Sequence, residues 1–420
     1  MKVCVIGNGG REHALAWRLS ISPSVTKVYA IPGSAAMSDC AELVGIDWQQ
    51  SDHLIRFLKD NHVDLVVVGP EAPLVAGLAD ALNVAGIPVF GPSKAAAQLE
   101  GSKVFAKDLM KKYNIPTAKY GVFHKVDEAK EFIAQTGAPI VVKADGLAAG
   151  KGVVVAMTVE EANAAVEDML SGNRFGDAGS TVVIEEFMEG EEASLLAFVD
   201  GKTVVPMIAS QDHKRIFDGD KGPNTGGMGT YAPAPVLTDT LRDEAMKTIL
   251  EPMVAAMQKE GMPYVGCLYA GLMITPQGPK VVEFNARFGD PETQVVLPLL
   301  DSDLGQIMMA CATGTLTADM VKWKDSSAAC VILASKGYPE TSSKGDVIHG
   351  DIKQHDTTIV FHSGTKLVGE EYVTNGGRVL GVVGLGKDLR TALDRAYGRI
   401  EHINFEGMQY RTDIGAKAFK

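Results

Sequence analysis

The first hundred residues alternate short apolar runs with segments in which apolar residues recur every three or four positions. The apolar runs are KVCVIG, KVYAIPG, VDLVVVGP and IPVFGPS, and the segments between them include EHALAWRLS, DHLIRFLKD and LADALNVAG. Strands and helices in alternation predict a parallel sheet with helices on both faces. Ligands of such sheets bind beyond the carboxyl ends of the strands, which here read GNGGRE, IPGSAA, GPEAPL and GPSKAAA.

The middle of the chain has a different order of elements. A lysine-rich helix, GSKVFAKDLMKKYN, leads to Ile115-Pro116, and residues 139–200 then read as strand, glycine loop, strand, helix and two more strands. Thr158 and Glu161 stand three residues apart at the start of that helix, which is the pattern of a capping box. Residues 206–233 are polar and glycine-rich with little periodicity. A helix at 239–260 and strands near 265–275 and 280–286 follow.

After about residue 325 the pattern changes again. Short strands and turns follow one another as AACVILAS, GDVIHG, TIVFHSGT and GGRVLGVVGLG, before an amphipathic helix, LRTALDRAYGRIEHI. This order predicts a small α+β or barrel-like domain. A chain of 420 residues exceeds what one hydrophobic core usually fills, so we expect several domains.

Charge and cysteine content limit the classes of function. A formal charge of −12 argues against a protein whose main partner is nucleic acid or an anionic membrane, because such proteins carry basic patches. Five dispersed cysteines with no CxxC pair predict neither a disulfide framework nor a zinc site, and they favour a reducing cytoplasm. The N-terminal apolar run is too short for a signal peptide, and no run approaches the length of a membrane span.

The motif GNGGREHA follows a predicted strand and opens a helix. Gly9 and Gly10 would let the backbone approach an anion at the helix N-terminus, and Arg11 adds charge. The dinucleotide-binding fingerprint G-x-G-x-x-G fails because its last position is Glu12. A purely structural turn between strand and helix is the alternative.

The stretch VVKADGLAAGKGVVV, residues 141–155, predicts a hairpin for polyphosphate. Two strands flank a loop of small residues, and Lys143 and Lys151 could bring ammonium groups, beside backbone N–H groups, over phosphates. It is not a Walker loop, because Gly152 follows Lys151 where that motif needs serine or threonine. A plain surface hairpin with solvated lysines is the alternative.

The stretch VVIEEFMEGEEASL suits a flat base and a sugar. A strand that runs into Glu185 and Phe187 offers backbone hydrogen bonds and an apolar surface, and Glu192 could accept hydrogen bonds from a ribose diol. A solvated acidic turn is the alternative.

The stretch EFNARFGDPE places three polar side chains on alternate residues of a predicted strand. Glu283, Asn285 and Arg287 would share one face. A carboxylate and an amide oxygen suit Mg²⁺, which is commonly held by one or two protein groups and substrate phosphates. Arg287 could hold a carboxylate or phosphoryl group bidentately. An ion pair between Glu283 and Arg287 is the alternative, although it leaves Asn285 unexplained.

The segment SQDHKRIFDGDKGPNTGGMGTYAP concentrates Asp212, His213, Lys214 and several glycines in one loop. Long irregular loops in compact domains are usually functional or disordered, and the turn residues here argue against disorder. His213 by itself is more often a structural hydrogen-bonding residue than a base.

Together these motifs resemble the ATP-grasp superfamily and, within it, the glycinamide ribonucleotide synthetase family. The resemblance covers essentially the whole chain and rests on GNGGREHA, GPEAPL, KADGLAAGKGV, EEFMEGEEASL, QDHKR with GPNTGGMG, and EFNARFGDPETQ. It implies an α/β ATP-grasp fold. A Rossmann-like parallel-sheet domain would span 1–102 and an ATP-grasp domain 103–325, with a mobile lid at about 115–190. A C-terminal domain would span 326–420.

The resemblance also implies a reaction. Glycine would be joined to 5-phosphoribosylamine through glycyl phosphate, with ATP and Mg²⁺ or Mn²⁺, in purine synthesis. The partners would be these small molecules, with no nucleic acid or membrane, in a monomer or homodimer. Phosphoryl transfer depends mainly on positioning and charge.

The family's roles transfer residue by residue onto the matching motifs. Arg287, Lys214 and Asp212 would be catalytic, and Glu283 and Asn285 would hold the metal. The resemblance implies nucleotide contacts at Lys103, Lys143, Gly150, Lys151, Glu185, Phe187 and Glu192. It implies contacts to phosphoribosylamine and glycine at Gly9, Gly10, Arg11, Pro70, Glu71, Asn224, Thr225, Gly226 and Gly227.

Two departures and one rival accompany the resemblance. The strand GCLYAGLMI lacks the carboxylate that many ATP-grasp enzymes place before the metal motif, and PGSAAM replaces a PGN-type loop. The nearest rival is another ATP-grasp ligase of purine synthesis, for example one that phosphorylates formate or bicarbonate. A nicotinamide dehydrogenase would need the fingerprint that Glu12 breaks.

Overall fold

The N-terminal sheet is parallel, with strand order β3-β2-β1-β4-β5. The structure, a computed structural model, describes residues 1–148 and 151–420. The strands are β1 (Lys2–Gly7), β2 (Lys27–Pro32), β3 (Glu42–Leu43), β4 (Leu65–Val68) and β5 (Val89–Phe90). The helices are α1 (Gly10–Ser20), α2 (Ser51–Asp60), α3 (Glu71–Ala76) and α4 (Leu78–Val84). β1 and β4 are apolar on both faces because both are buried.

A separate antiparallel sheet follows, with strand order β6-β9-β7-β8. Helices α5 (Gln98–Gly101) and α6 (Lys103–Lys112) lead to β6 (Tyr120–Phe123), α7 (Val126–Thr136), β7 (Ile140–Ala144), β8 (Val153–Ala156), α8 (Val159–Ser171) and β9 (Val182–Glu186). Thr158 caps α8 through the Glu161 N–H at 3.2 Å, while the Glu161 carboxylate accepts from the Met157 N–H. Helices α7 and α8 pack on this sheet and enclose a small apolar core with it.

A second antiparallel sheet, β11-β10-β16-β17, shares an apolar core with the N-terminal sheet. Its strands are β10 (Glu191–Asp200), β11 (Val204–Pro206), β16 (Val265–Thr275) and β17 (Gly278–Asn285). Two helices lie between β11 and β16, namely α9 (Asp239–Ala245) and α10 (Glu251–Lys259), and two follow β17, namely α11 (Thr293–Val296) and α12 (Leu304–Thr313). One π-helical turn at Met246–Leu250 joins α9 to α10, where the sequence predicts one continuous helix.

The last large sheet is antiparallel, with order β12-β15-β18-β24-β21, and α13 packs on it. The elements are β12 (Gln211–Asp212), β13 (Arg215–Phe217), β14 (Lys221–Asn224), β15 (Gly229–Ala232), β18 (Ser327–Ala334), β19 (Lys344–Val347), β20 (His349–Gly350), β21 (Thr358–His362), β22 (Thr365–Val368), β23 (Glu371–Asn375), β24 (Arg378–Gly386), α13 (Leu389–Ile400) and β25 (Ile403–Asn404). β13 and β14 form a hairpin, β19, β23 and β22 a small sheet, and β20 pairs with β25.

The polar segment at 206–233 contributes two strands to this last sheet. Gly229 pairs with Val331 and Thr230 with Cys330, so β15 owes its conformation to a strand about a hundred residues later. That pairing is tertiary, which is why local periodicity gives no sign of it. Within the described part of the chain, no helix is long and apolar enough to cross a membrane.

Candidate active site

The side chains of Glu283, Asn285 and Arg287, at the end of β17, are linked to one another by hydrogen bonds. The Asn285 amide donates to the Glu283 carboxylate at 3.4 Å, and Arg287 Nη2 donates to Asn285 Oδ1 at 3.2 Å. A β-bulge at Val282 lies just before Glu283, where the pairing with β16 shifts register. Glu283, Asn285 and Arg287 therefore meet on one side of β17, as alternation predicts.

Glu283 faces several lysines. Burial raises the pKa of its carboxyl, but the ammonium groups of Lys143, Lys214 and Lys103 more than offset this and hold the pKa below its usual value. The carboxylate is therefore ionised at neutral pH, within a concentration of positive charge suited to phosphates or a phosphate-bound cation.

Lys143 belongs to a buried triad that the sequence did not indicate. Its ammonium group lies 3.1 Å from Glu185 Oε2 and donates to the Val282 carbonyl at 3.1 Å. The other Glu185 oxygen lies 3.3 Å from the ammonium group of Lys107, which also donates to Thr117 at 2.7 Å. Burial, together with nearby Lys143, lowers the pKa of Lys107 to about 8 against the opposing effect of Glu185. Glu185 thus joins two lysines by its side chain.

The loop after β7 also contacts the start of α6. Asp145 accepts from the Lys103 backbone N–H at 2.6 Å, and the Lys103 ammonium group donates to the Gly146 carbonyl at 3.0 Å. Lys151 is exposed. Gly150 lies outside the described residues. Burial is the main cause that lowers the pKa of Lys103, and nearby Lys143 lowers it too while Glu283 opposes them, so the structure brings Lys103 and Lys143 together around Glu283.

The predicted base and ribose contacts lie in and after β9, with Glu185 inside the strand. Phe187 is half-buried just after this strand, and Glu192 lies near the start of β10. The Glu192 side chain is partly open to solvent. Loss of hydration by the surrounding protein atoms nevertheless raises the pKa of its carboxyl, and the Lys214 ammonium group partly offsets this. The nucleotide roles of Phe187 and Glu192 stay predictions.

The 206–233 segment places Lys214 beside buried carboxylates. Its ammonium group lies 2.7 Å from Asp212 Oδ2 and 3.9 Å from Glu292 Oε1. Burial lowers the pKa of Lys214, but Asp212, Tyr269 and Glu292 together raise it well above the usual value. The Tyr269 hydroxyl donates to Glu292 at 2.6 Å. Lys214 therefore stays charged in this pocket.

The glycine motif of the same segment is held from within the protein. The Thr225 hydroxyl donates to the Lys214 carbonyl at 2.8 Å, and Arg378 donates to the Gly226 carbonyl at 2.9 Å. Gly227 has φ +125° and passes so near Pro291 that a Cβ would lie 2.6 Å from its ring. A side chain cannot fit there. Asn224 ends β14, and the substrate contacts of residues 224–227 stay predictions.

Arg287 also connects helices α3 and α5 to the site. Its Nη2 lies 2.7 Å from Glu100, and its Nε lies 3.3 Å from Glu71, which also lies 3.9 Å from Arg11 Nη1. Burial raises the pKa of Glu71, but Arg287 and Arg11 bring it below the usual value. Pro70 precedes α3, at whose first turn Glu71 lies. Sequence reasoning missed Glu100.

A cavity of about 460 Å³ lies where α1 begins. Gly9 lines it together with Ser34 of the PGSAAM loop, Ser363 and Lys366. Gly10 lies against the C-terminal region, because a Cβ there would meet the Ser363 hydroxyl at 2.3 Å. The sequence indicated the glycines but gave no sign of the C-terminal residues.

No cluster of three or more histidine, cysteine, aspartate or glutamate side chains suited to a metal is found in residues 1–148 and 151–420. Glu283 with Asn285 is a smaller set, of the kind that holds Mg²⁺ jointly with phosphate oxygens.

Three models of one protein family match successive parts of the chain. The N domain of phosphoribosylglycinamide synthetase matches residues 1–100, its ATP-grasp (A) domain 101–293 and its C domain 328–417. The chain belongs to the phosphoribosylglycinamide synthetase family. The resemblance drawn from the motifs is confirmed.

Individual members of the phosphoribosylglycinamide synthetase family match over full length. The phosphoribosylamine–glycine ligase of Halalkalibacterium halodurans is 53% identical over 418 residues, covering 100% of this chain and 97% of the relative. A crystal structure of the Thermotoga maritima phosphoribosylamine–glycine ligase is 34% identical with TM-score 0.86, covering 99% of this chain and 100% of that one.

The ATP-grasp fold extends to more distant structures. The biotin carboxylase domain of Hydrogenobacter thermophilus 2-oxoglutarate carboxylase is 17% identical with TM-score 0.74, covering 97% of this chain and 91% of that one. This similarity concerns the fold alone. The predicted α/β ATP-grasp fold class with its N-terminal parallel sheet is confirmed.

Proposed function

We propose that this chain joins glycine to 5-phosphoribosylamine, converting ATP to ADP and phosphate and forming glycinamide ribonucleotide in purine synthesis. The observation that carries the proposal is full-length identity of 53% to a phosphoribosylamine–glycine ligase. The chain is an ATP-dependent carbon–nitrogen ligase, and its lysine-rich site around Glu283 suits phosphoryl transfer.

The proposed course has two steps. A glycine carboxylate oxygen attacks the γ-phosphorus, the bond to the β–γ bridging oxygen breaks, and ADP leaves. The phosphoribosylamine nitrogen then attacks the carbonyl carbon of glycyl phosphate, phosphate leaves with the C–O bonding electrons, and the nitrogen loses a proton. Both steps build negative charge on oxygen, which Lys143, Lys214 and Arg287 are charged to stabilise.

The nucleotide would lie between the β6-β9-β7-β8 sheet, which we call the lid sheet, and the β11-β10-β16-β17 sheet. In this proposal Lys103, Lys143, Lys151 and Gly150 hold the phosphates, Glu185 and Phe187 the base through their backbone, and Glu192 the ribose. The triad refines this assignment, because Glu185 also fixes Lys143 through its carboxylate.

The donor set fits a hard divalent cation. Glu283 is ionised, and Asn285 lies beside it on the same strand face with its Nδ2 toward Glu283 and its Oδ1 accepting from Arg287. We propose that these two residues hold Mg²⁺ or Mn²⁺, which when bound neutralises phosphate charge. Arg287, Lys214 and Asp212, with Asn224 to Gly227, would contact glycine and the acyl phosphate.

Phosphoribosylamine would enter at the start of α1. Gly9, Gly10 and Arg11 would contact its phosphate, with Pro70 and Glu71 near its hydroxyls. Support comes from the neighbouring cavity and from Glu71, which links Arg11 to Arg287.

Arg11→Ala is expected to raise the KM for phosphoribosylamine by about 10- to 100-fold, the cost of losing one charged hydrogen bond. The KM for ATP should change much less, because Arg11 contacts none of the lysines around Glu283. Initial rates with each substrate varied in turn measure this. Arg56→Ala on α2, where the side chain is exposed, is the control. A larger rise in the KM for ATP would move the phosphate site elsewhere.

We also propose the domain boundaries, the oligomeric state and the cellular location of the chain. The domains would be 1–102, 103–325 with the lid at about 115–190, and 326–420, and the separate core of the lid sheet supports an independent lid. The chain would act as a monomer or homodimer. Five free cysteines support a cytoplasmic location, and a charge of −12 supports the expectation of no nucleic-acid partner.

Sustained ADP release by the purified chain is expected only when ATP, Mg²⁺, glycine and phosphoribosylamine are all present, because without phosphoribosylamine the glycyl phosphate is not consumed and turnover stops. A coupled ADP assay with each component omitted in turn measures this. Equal turnover with formate or bicarbonate in place of glycine would instead favour another ATP-grasp ligase of purine synthesis.

A further inference from the structure

The segment at 411–417, which we call the C-terminal clasp, lies against the β13–β14 hairpin. This hairpin begins at Arg215, directly after Lys214 and three residues after Asp212. It lies about two hundred residues before the clasp in the chain. Arg411 at the start of the clasp is 1% exposed. Nothing in the proposed chemistry requires a buried arginine there.

The Arg411 guanidinium joins the clasp to the hairpin. Its Nε and Nη2 each donate to the Asp413 carboxylate at 2.8 Å. Its Nη1 donates to Asp220 at 2.9 Å and to the Arg215 carbonyl at 3.1 Å. A buried charge is costly unless it is paired and hydrogen-bonded, so this geometry forms only when hairpin and clasp are together.

Further bonds hold the tip of the hairpin. The Thr412 backbone N–H donates to one oxygen of Asp218 at 2.8 Å, and the Thr412 hydroxyl donates to the other. The Gly219 N–H donates to Asp413 at 2.9 Å. The ammonium group of Lys417 lies 2.8 Å from Asp220. Carboxylates of each segment thus accept hydrogen bonds from backbone N–H groups of the other, and the ion pair of Lys417 with Asp220 also joins the two segments. These contacts fix the position of the clasp relative to the hairpin.

The clasp also reaches the residue between Asp212 and Lys214. The Gly415 N–H donates to His213 Nε2 at 3.4 Å, and His213 Nδ1 lies 3.0 Å from the Gly229 carbonyl. Burial lowers the pKa of His213 to about 4. A neutral ring with Nδ1 as donor and Nε2 as acceptor satisfies both bonds. His213 is therefore a structural link, as its sequence context favoured.

We propose that Arg411 is a positioning residue for the reaction, because the clasp fixes the hairpin and His213 and thereby sets Lys214 and Asp212 against Glu292. The inference rests on the proposed function, in which Lys214 and Asp212 contact glycine and its acyl phosphate. Arg411 touches no substrate and acts only through these residues.

The test uses the full chain with Arg411→Met, Arg411→Lys and the control Arg390→Met. Arg390 is exposed on α13 and stacks 4.0 Å over Phe419. We expect kcat/KM for glycine to fall about 10- to 100-fold in Arg411→Met, the cost of small misplacements in a reacting geometry. The Kd of ADP, measured by calorimetry, should stay within about twofold, because Lys103 and Lys143 lie on other elements. Arg411→Lys should recover part of the loss.

Two outcomes would overturn the proposal. One is unchanged glycine kinetics in folded Arg411→Met, and the other is a parallel loss of ADP binding, which would indicate general disorder. If Arg411→Met does not fold, Thr412→Val/Asp220→Asn carries the test. Both residues are exposed, and Asn tolerates the φ of +56° at Asp220. In the double variant, kcat/KM for glycine should fall while the Kd of ADP stays unchanged. Wild-type glycine kinetics in it would contradict the proposal.

Failure of the proposed function is a separate result. In that case the wild-type chain itself would not ligate glycine to phosphoribosylamine. The positioning role fails if the wild-type chain does so and the folded Arg411 and Thr412/Asp220 variants either equal it or lose glycine kinetics and ADP binding together.

Discussion

Glu283→Gln is expected to lower kcat by about 10³-fold or more while leaving the chain folded, since metal-assisted charge stabilisation is worth several kcal/mol. Glutamine has almost the same shape but no charge, so it would bind a divalent cation and its phosphates far more weakly. The lysines that lower the pKa of Glu283 would then face one another without their shared carboxylate. Steady-state ADP release at saturating substrates measures the loss.

The fold should survive this change because Glu283 is half-buried at the cleft and not part of an apolar core. Circular dichroism and thermal unfolding verify this. Glu251→Gln on α10 removes an exposed glutamate of the same region and should leave turnover unchanged. Full activity in Glu283→Gln would show that the hydrogen-bonded set of Glu283, Asn285 and Arg287 has a purely structural role and holds no metal.

Local sequence patterns predicted the parts of the fold whose stability is local. The alternation of β1, α1, β2, α2, β4 and α4 is readable because each element buries one apolar face or run. The strand β17 was readable for the same reason, and its period of two correctly grouped Glu283, Asn285 and Arg287.

The parts that sequence reasoning missed depend on distant partners. Lys107 looks like one more lysine of a surface helix, and only the fold brings it to Glu185. Glu100 meets Arg287 across nearly two hundred residues, and Ser363 meets the start of α1 across a still longer separation. A single sequence carries no signal for such pairings, because a polar side chain has the same local pattern whether exposed or paired.

Glu185→Gln should be the most destabilising single change at the site. It leaves the ammonium groups of Lys107 and Lys143 buried without their shared counterion, and breaking a buried ion pair on one side costs about 3–5 kcal/mol. All three side chains are at most 4% exposed, so water does not replace the lost carboxylate. Urea unfolding of the nucleotide-free chain measures the loss.

Glu186→Gln is the matched control. Glu186 is the next residue of β9, and its side chain accepts from the Lys119 N–H at 3.0 Å on an exposed edge, which a glutamine oxygen can also do. Its effect should stay within about 0.5 kcal/mol. Equal stability of the two variants would mean that the lysines are not held by Glu185.

The pH dependence separates a lost charge pair from simple loss of packing. Folding lowers the pKa of Lys107 from 10.5 to about 8, so between these values the unfolded chain binds one more proton at Lys107 than the folded chain does. The contribution of Lys107 to the free energy of unfolding therefore rises as pH rises through this window, by up to about 1.4 kcal/mol per unit. Lys107→Met should lack that rise. In Glu185→Gln the rise should begin at a lower pH, because Glu185 is the group that raises the pKa of Lys107 against burial; a rise that begins at the same pH in both proteins would contradict the triad.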